Sequence, residues 1–447
     1  MSRLIKRGPK SQGRHTPNLW PVWLVASIAL ILVGGAAYGL YQGADILLTA
    51  NYAGRKPVDV QDIIKVTVTV LTLIGAVLAG LYAYRKQLLE EGASHRADAT
   101  QLAERYAKAA EQLGHEQAAV RLAGVYSMAR LADDWPEQRQ VCIDVLCAYL
   151  RMPYETNPTE PGFKQGENEV RLTIIRSIRD RLQDPTSPTA WCMHHLDFTG
   201  ATFDGGDFTG ATFTHGSSAN FSKAKFSDGT VGFRHAKVSG GEVDFSEADF
   251  SGGLVDFSFA SFSDGRVDFS YARFSGSRFD FNYACFEGSN VSFRHAAISG
   301  GTFDFRGAHL SDGDVSFLGV DLSRGLVDFS HARFYGSTVE FSRADLHGGT
   351  LKLQHGHLNG GKVDFSHAKF SGATVDFSHM EFLDGTVGFS DADFSNGTVS
   401  FSHAAFFNGT VDFSDARVSS AAVDFTDVEV DDAAMVWGPF PEIPPNL

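Results

Sequence analysis

Apolar and polar residues alternate with a fixed period through the second half of this chain. Phe recurs every five residues from Phe198 to Phe213. From Ala219 onward the period is twelve, and the unit reads V-D-F-S-x-A-x-F-S-G-G-x, as in residues 243–254. Its first Phe position recurs eighteen times from Phe221 to Phe425, with Leu353 as the one replacement. A fixed period of this kind predicts a solenoid, because each unit buries its apolar residues against its neighbours.

The spacing inside each unit predicts which side chains form the core. Val and the first Phe are two residues apart, and so are Ala and the second Phe. Residues two apart on an extended segment face the same way, so these four positions point inward and the Asp, Ser and variable positions point outward. Each buried ring should contribute roughly 1.5–3 kcal/mol before chain entropy is subtracted. The predicted structural core is represented by Val243, Phe245, Ala248, Phe250, Phe257, Phe262, Phe269, Phe274, Phe365, Phe370, Phe377, Phe389, Phe401 and Phe413.

The five-residue steps point to a known family. Residues 201–205 (ATFDG), 206–210 (GDFTG) and 248–252 (ADFSG) closely resemble the A-(D/N)-L-x-x units of pentapeptide-repeat proteins. The resemblance covers residues 194–434 and implies an all-β, right-handed quadrilateral β-helix. The segment 105–124 is similar to the helical region that precedes the repeats in membrane-anchored members of that family.

The chain departs from the family by two extra residues at the Gly pair of each unit. We expect two twelve-residue units per coil, which gives four sides and about 24 residues per turn, with the Gly pair widening alternate corners. One unit per turn is the rival, but a twelve-residue loop would be crowded by two Phe, a Val and an Ala. The preferred arrangement predicts nine coils plus one for residues 194–213, a rod about 48 Å long at roughly 4.8 Å per coil.

Two apolar runs near the N-terminus predict a membrane hairpin. Residues 19–41 carry no charge, and residues 63–84 carry only Lys65, near one end. A signal peptide is disfavoured because the first run is too long and lacks a small-residue cleavage site. Bases flank the hairpin on its outer sides, so the positive-inside rule places both termini in the cytoplasm of a multi-pass cell-membrane protein, by the family resemblance a bacterial one. The predicted segments are a basic cytoplasmic N-terminus (1–18), a first span (19–41), an external loop (42–62), a second span (63–84), a helical connector (85–193), the β-helix (194–434) and a Pro-rich tail (435–447).

The connector reads as a helical adaptor. Residues 87–152 are rich in strong helix formers. Apolar residues recur there at three and four positions, which predicts one buried face made of Val120, Leu122, Ala123, Tyr126, Ala129 and Leu131. A further helix is predicted at 169–182. The tail, with Trp437 and Phe440, is expected to cover the exposed edge of the last coil.

Charge is unevenly distributed. From His194 onward 34 Asp and Glu stand against 16 Lys and Arg, a balance of −18, whereas the whole chain carries −15. An acidic solenoid disfavours direct nucleic-acid binding, because phosphates would be repelled. The four Cys form no Cys-x-x-Cys pair and no disulfide framework, which favours a reducing compartment.

Candidate chemistry is sparse. With 24 residues per coil, His331, His355, His379 and His403 fall in one column and could bind a metal or sense pH. The same column begins with His235, Phe259, Tyr283 and Gly307, which favours a solvated face. The Asp before each first Phe is expected to accept hydrogen bonds from corner N–H groups. No motif assembles a nucleophile, a base and an oxyanion hole, so we expect no enzyme, no cofactor and no metal site.

Two functional hypotheses remain. The first is a membrane-tethered scaffold that presents an acidic rod to an unidentified protein partner on the cytoplasmic side. The alternative follows from the resemblance, since some soluble pentapeptide-repeat proteins mimic B-DNA and occupy the DNA site of topoisomerases. The anchor and the connector count against that alternative. An extracellular adhesin would require the opposite topology, and the sequence leaves both the partner and the oligomeric state open.

Overall fold

The computed structural model describes residues 60–431 and 434–440, together with scattered positions between 27 and 42. The chain divides into two compact units, Met1–Glu104 and Arg105–Leu447. The predicted N-terminus (1–18) and most of the first span (19–41) and of the external loop (42–62) lie outside the described residues.

One helical segment of the described part could cross a membrane. Val68–Gln87 has 20 residues and a mean hydropathy of 1.6, which suffices by length and composition. It overlaps the predicted second span at 63–84 but begins and ends later. The described residues therefore give one candidate span, and they do not support the predicted two-span hairpin.

Four α-helices precede the solenoid in the described residues. The predicted span and the start of the predicted connector belong to one long helix, because no Pro interrupts the chain there. The helices are α1 (Val60–Leu113), α2 (Ala118–Asp134), α3 (Arg139–Arg151) and α4 (Glu167–Arg181), with a 3-10 turn at Pro136–Gln138.

The buried face of α2 differs from the predicted one. Ala129 and Leu131 of the predicted face are buried, but Tyr126 is exposed, and Val125 and Met128, which were not predicted, are fully buried. Arg121 is also buried, because its guanidinium lies 3.1 Å from the Glu167 carboxylate of α4. The buried face of α2 therefore includes a paired cation as well as apolar residues.

The strands of the described residues form two parallel sheets, and each coil contributes two strand positions to each sheet. The 19 strands of the first sheet are β1 (His195–Asp197), β4 (Thr212–Thr214), β5 (Ser218–Asn220), β8 (Lys237–Ser239), β9 (Glu242–Asp244), β12 (Ser261–Ser263), β13 (Arg266–Asp268), β16 (Cys285–Glu287), β17 (Asn290–Ser292), β20 (His309–Ser311), β21 (Asp314–Ser316), β24 (Arg333–Tyr335), β25 (Thr338–Glu340), β28 (His357–Asp364), β30 (Glu381–Gly388), β32 (Ala405–Phe406), β33 (Thr410–Asp412), β36 (Glu429–Val430) and β37 (Ala434–Val436).

The second sheet is built in the same way from the other two strand positions of each coil. Its 18 strands are β2 (Thr202–Phe203), β3 (Gly206–Asp207), β6 (Lys225–Phe226), β7 (Thr230–Gly232), β10 (Asp249–Phe250), β11 (Leu254–Asp256), β14 (Arg273–Phe274), β15 (Arg278–Asp280), β18 (Ala297–Ile298), β19 (Thr302–Asp304), β22 (Asp321–Leu322), β23 (Leu326–Asp328), β26 (Asp345–Leu346), β27 (Thr350–Lys352), β29 (Lys369–Asp376), β31 (Asp393–Ser400), β34 (Arg417–Val418) and β35 (Ala422–Asp424).

The strand register confirms the 24-residue coil. Val243 of β9 pairs with Val267 of β13, and Phe250 of β10 pairs with Phe274 of β14. Each pair joins residues 24 apart, so two twelve-residue units complete one turn and the rival with one unit per turn is wrong. The solenoid has about ten turns, as predicted. At roughly 4.8 Å per turn its length is about 48 Å.

The two extra residues of each unit form a corner that needs Gly. At Gly253, between β10 and β11, the backbone has a φ of +74°, and an added Cβ would lie 2.3 Å from the carbonyl oxygen of Gly229 in the preceding coil. A side chain there would push the coils apart. The Gly pair therefore permits both the turn and the close stacking of backbones.

The core consists of two perpendicular stacks of Phe rings. In one stack, Phe269 lies 4.8 Å from Phe245 and 4.8 Å from Phe293, with nearly parallel planes. Phe257 of the other stack crosses Phe269 at 90°, with ring centroids 6.4 Å apart. Offset stacking along the axis and edge-to-face contact across it are both favourable aromatic geometries. The second Phe of each unit is buried and stacked in the same way, so a 24-residue coil holds up to four rings, such as Phe245, Phe250, Phe257 and Phe262.

Helices α3 and α4 cover the first coil. Trp191 is fully buried beneath them, and Ile175 of α4 packs where a Cβ on Gly206 would lie. Tyr154 donates a hydrogen bond of 2.6 Å to Asp204. At the other end, the Phe440 ring meets Phe425 at 5.5 Å. The tail thus packs on the last coil through Trp437 and Phe440, and residues 441–447 lie outside the described part of the chain.

Candidate interaction surface

The predicted core residues all lie inside the solenoid, so any site for a ligand or partner must be formed by residues on its surface. Each of the fourteen, from Val243 to Phe413, is at most 2% exposed. They present no polar group to a ligand. Their part is to hold the coils rigidly in register, so that outward side chains one coil apart form straight columns.

Every unit turns sharply two residues after its first Phe. At all eighteen such positions the backbone has a positive φ, which residues other than Gly rarely adopt. Half of these positions form the aromatic corner: His235, Phe259, Tyr283, Gly307, His331, His355, His379, His403 and Asp427. The other half, twelve residues away along the chain, form the second corner: Lys223, Glu247, Tyr271, His295, Gly319, Arg343, His367, Asp391 and Asp415.

This backbone geometry explains why His recurs in the repeat. His, Asp and Asn are several-fold enriched among residues with positive φ, because their side chains tolerate that conformation. Seven of the eighteen corner residues are His, three are Asp and two are Gly. The His column is therefore first a consequence of the turn.

The rings of the aromatic corner stack on one another along the axis. His355 lies 5.0 Å from His331 and 4.8 Å from His379, with planes within 7° of parallel. Phe259 and Tyr283 stack in the same way at 5.4 Å. Rings that lie face to face do not direct their nitrogens toward a common point. Within the described residues, no group of three His, Cys, Asp or Glu side chains could hold a metal ion.

Burial and neighbouring imidazoles lower the pKa of His355. Burial is the larger cause, and the charges of His379 and His331 act in the same direction. Protonating one ring of the stack therefore disfavours protonating the next. His355 therefore favours the neutral imidazole.

The Asp before each first Phe accepts a hydrogen bond from the corner, as predicted. The Asp256 carboxylate accepts from the Ser258 N–H at 2.8 Å, and Asp376 accepts from the Ser378 N–H at 2.9 Å. The same contact occurs at Asp244, Asp268, Asp280, Asp328, Asp364, Asp412 and Asp424. These carboxylates are part of the turn, so much of the negative charge of the solenoid is structural.

Arginines partly neutralise one row of these carboxylates. The Arg306 guanidinium donates to both oxygens of Asp304, at 2.8 and 2.6 Å. Burial alone would raise the pKa of Asp304, but hydrogen bonds and the charge of Arg306 hold that pKa below its ordinary value. Arg278 lies 3.1 Å from Asp280 and 3.6 Å from Asp304. The middle of this face therefore carries alternating charges.

A groove of about 740 Å³ opens beside the aromatic corner. Tyr283, Gly307 and His331 line it along the corner. Two arginines also line it: Arg306, which precedes Gly307, and Arg333, two residues after His331. Sequence reasoning placed Tyr283, Gly307 and His331 in one column but missed the arginines and the groove. Aligning the repeat at 24 residues would have revealed them, because Arg234, Arg306 and Arg333 all stand within four residues of a corner position.

Comparison with known proteins adds no relative. No family model, no curated protein and no solved structure matches this chain. What the structure supports is a parallel β-solenoid with about 24 residues per coil, regularly spaced Phe rings and a helical N-terminal region, which is consistent with a pentapeptide-repeat-like fold.

Proposed function

We propose that this chain is a membrane-anchored member of the pentapeptide-repeat family and acts as a non-enzymatic scaffold for a protein partner. The solenoid would then take the right-handed quadrilateral form that the family resemblance implies. The observation that carries the proposal is the set of straight, exposed side-chain columns on a core of stacked rings. Because helices pack on the first coil and Phe440 packs on the last, the sides of the rod are the surfaces offered to a partner.

The anchor in this proposal is the predicted pair of spans, of which Val68–Gln87 is the described candidate. Basic residues outside the pair and few between its spans favour cytoplasmic termini. On that side the anionic leaflet would repel the acidic rod and hold its sides accessible.

Topology mapping tests the anchor first. Reporter fusions at the loop near Arg55 and at the C-terminus should report opposite sides of the membrane, with the C-terminus in the cytoplasm. A C-terminus outside the cell would overturn both the scaffold and the topoisomerase hypotheses and would favour an adhesin.

A double substitution distinguishes an anchor of one transmembrane span from an anchor of two. Leu73→Arg/Val77→Arg places two charges, each costing about 3 kcal/mol, inside the candidate span. If two spans exist, the chain stays membrane-bound and its C-terminus moves to the outside. If Val68–Gln87 is the sole anchor, the protein becomes extractable by carbonate. Ala103→Arg/Ala107→Arg has the same spacing in α1 beyond the candidate span and should change neither result.

Site-specific crosslinking tests the scaffold role. Tyr283 on the aromatic corner and Tyr271 on the second corner are exposed to similar degrees, 64% and 60%. A photo-crosslinking residue at each position should capture a partner protein in cells from one corner and not from the other. Equal capture from both corners, or none from either, would contradict a face-specific scaffold.

The DNA-mimic alternative remains testable because the charge balance from His194 onward is −18. It requires a dense array of negative charge, whereas many of these carboxylates accept corner N–H groups and several pair with arginines. We therefore rank it second. Inhibition of purified DNA gyrase by the detergent-solubilised chain at sub-micromolar concentration would reverse that order.

A further inference from the structure

The aromatic corner is interrupted at one coil, and the interruption lies in the groove. His235, Phe259 and Tyr283 stack in sequence below it, and His331, His355, His379 and His403 stack in sequence above it. Gly307 occupies the position between Tyr283 and His331 and supplies no ring. With coils spaced by roughly 4.8 Å, Tyr283 and His331 are about 10 Å apart along the axis. That distance is twice the spacing that the column uses elsewhere, and the Tyr283 ring takes up part of it by leaning against Gly307, so a planar ring enters when Tyr283 moves back over Phe259.

Aromatic rings, arginines and the Gly307 backbone bound this opening. The Tyr283 ring lies over the Gly307 backbone, since a Cβ on Gly307 would be 2.8 Å from Tyr283 Cε1. Arg306 and Arg333 flank the opening within the groove of about 740 Å³. A groove of this size is in the range of small-molecule sites, in which aromatic walls combine with a few polar groups.

The charges around the opening favour an anion. Asp280 accepts the Asn282 N–H at 3.0 Å and pairs with Arg278 at 3.1 Å, so its charge is already compensated. Arg306 is engaged with Asp304. Among the residues that the structure describes, Arg333 has no carboxylate within ion-pair distance, and it is exposed beside the opening. Its guanidinium is therefore placed to bind a phosphate or carboxylate.

We propose that the Gly307 opening binds a planar aromatic ring bearing an anionic group, of the mononucleotide class. The ring stacks between Tyr283 and His331 and completes the column, and Arg333 binds the anion. Stacking between two rings tolerates many heteroaromatic systems, because each has a π-face. The site is independent of the scaffold proposal, and neither depends on the other.

The test uses the full chain in detergent and flavin mononucleotide as the probe, since stacking on Tyr quenches flavin fluorescence. Riboflavin supplies the same ring without the anion, and inorganic phosphate supplies an anion without the ring. We expect saturable quenching by the wild type with flavin mononucleotide, at least tenfold weaker binding of riboflavin, and competition by phosphate only at much higher concentration. Absence of saturable quenching up to millimolar probe would overturn the proposal, and equal binding of riboflavin would overturn the role of the anion.

Variants locate the site. Gly307→His supplies the missing ring and should weaken binding at least tenfold. The backbone accepts it, because His331 and the other His of this corner have nearly the same φ as Gly307, and the exposed Tyr283 ring must move away from the new Cβ. Gly319→His makes the same change on the second corner and should leave binding unchanged.

Arg333→Gln gives a measurement that does not disturb the corner. It should weaken the binding of flavin mononucleotide about tenfold and leave the binding of riboflavin unchanged. Unchanged binding in Gly307→His, or an equal loss in Gly319→His, would refute the assignment to this opening.

Discussion

Removing one ring from the central stack should loosen the solenoid locally. Phe269 is fully buried between Phe245 and Phe293, 4.8 Å from each. Phe269→Ala deletes both stacked contacts and leaves a cavity that the coil backbones cannot close, because their spacing is fixed by strand pairing. The expected cost is about 3–5 kcal/mol.

A natural substitution sets the scale for a milder change. Leu353 occupies a first-Phe position and is fully buried, so the fold accepts Leu there. Phe269→Leu should therefore cost less than half as much as Phe269→Ala. Tyr271→Ala, two residues away on the exposed corner, should cost about 0.5 kcal/mol or less.

Hydrogen exchange measured by mass spectrometry on the full chain is the appropriate assay. Solenoid stability is approximately a sum of nearest-neighbour terms, so the loss should concentrate in adjacent coils. Since about 1.4 kcal/mol is a factor of ten, peptides covering residues 243–293 should exchange about a hundredfold or more faster. Peptides covering residues 377–413 should keep their protection. Uniform acceleration along the solenoid, or none near the substitution, would refute the stacking argument.

Three further predictions concern the turns, the His column and the helical layer. Asp376→Ala removes the acceptor of the Ser378 N–H and should cost about 1 kcal/mol in thermal unfolding, whereas Asp376→Asn, which keeps an acceptor, should cost less than half of that. Because the pKa of His355 is lowered in the folded chain, the unfolded chain takes up the proton first, so stability should fall as pH drops through about 6.5, and His355→Asn should make that fall shallower in urea titrations at pH 8 and pH 5.5. Glu167→Ala leaves Arg121 buried without its ion pair and should cost about 3–5 kcal/mol in urea unfolding, and adding Arg121→Met should recover most of the loss.

The sequence was sufficient to predict the 24-residue coil, because the core residues repeat strictly. A period of twelve with Val, Phe, Ala and Phe at fixed places allows one or two units per turn, and the volume of two Phe rings decides for two. Volume arguments of this kind succeed where positions are uniform. Apolar spacing was a weaker guide in α2, where the buried Arg121 belongs to the inner face because of a partner, Glu167, that is 46 residues away in the sequence.

The corners show a second limit. The sequence presents His331, His355 and His379 as candidate ligands, because residue type and column are all that a repeat reveals. The positive φ at these positions depends on the turn that follows each buried Phe, and that turn is visible only in the folded backbone. The groove depends on the absence of a side chain at Gly307, which a search for reactive residues does not detect.

A solenoid of near-identical units needs something to fix its register, since a slip of one whole coil would bury the same side chains. The first coil supplies that restraint. Leu196 pairs with Ala219 at a separation of 23 residues, and Gly206 pairs with Val231 at 25, so this coil fits only the one that follows it.

The helices reinforce this restraint at the same end of the solenoid. Ion pairs of Arg151 with Asp197 and of Arg179 with Asp207 tie them to the first coil and to no other. With the start fixed, every later coil is fixed, and the columns of the two corners follow. The irregular first coil therefore determines which side chains meet at the groove, because every regular coil after it keeps the same register along the axis.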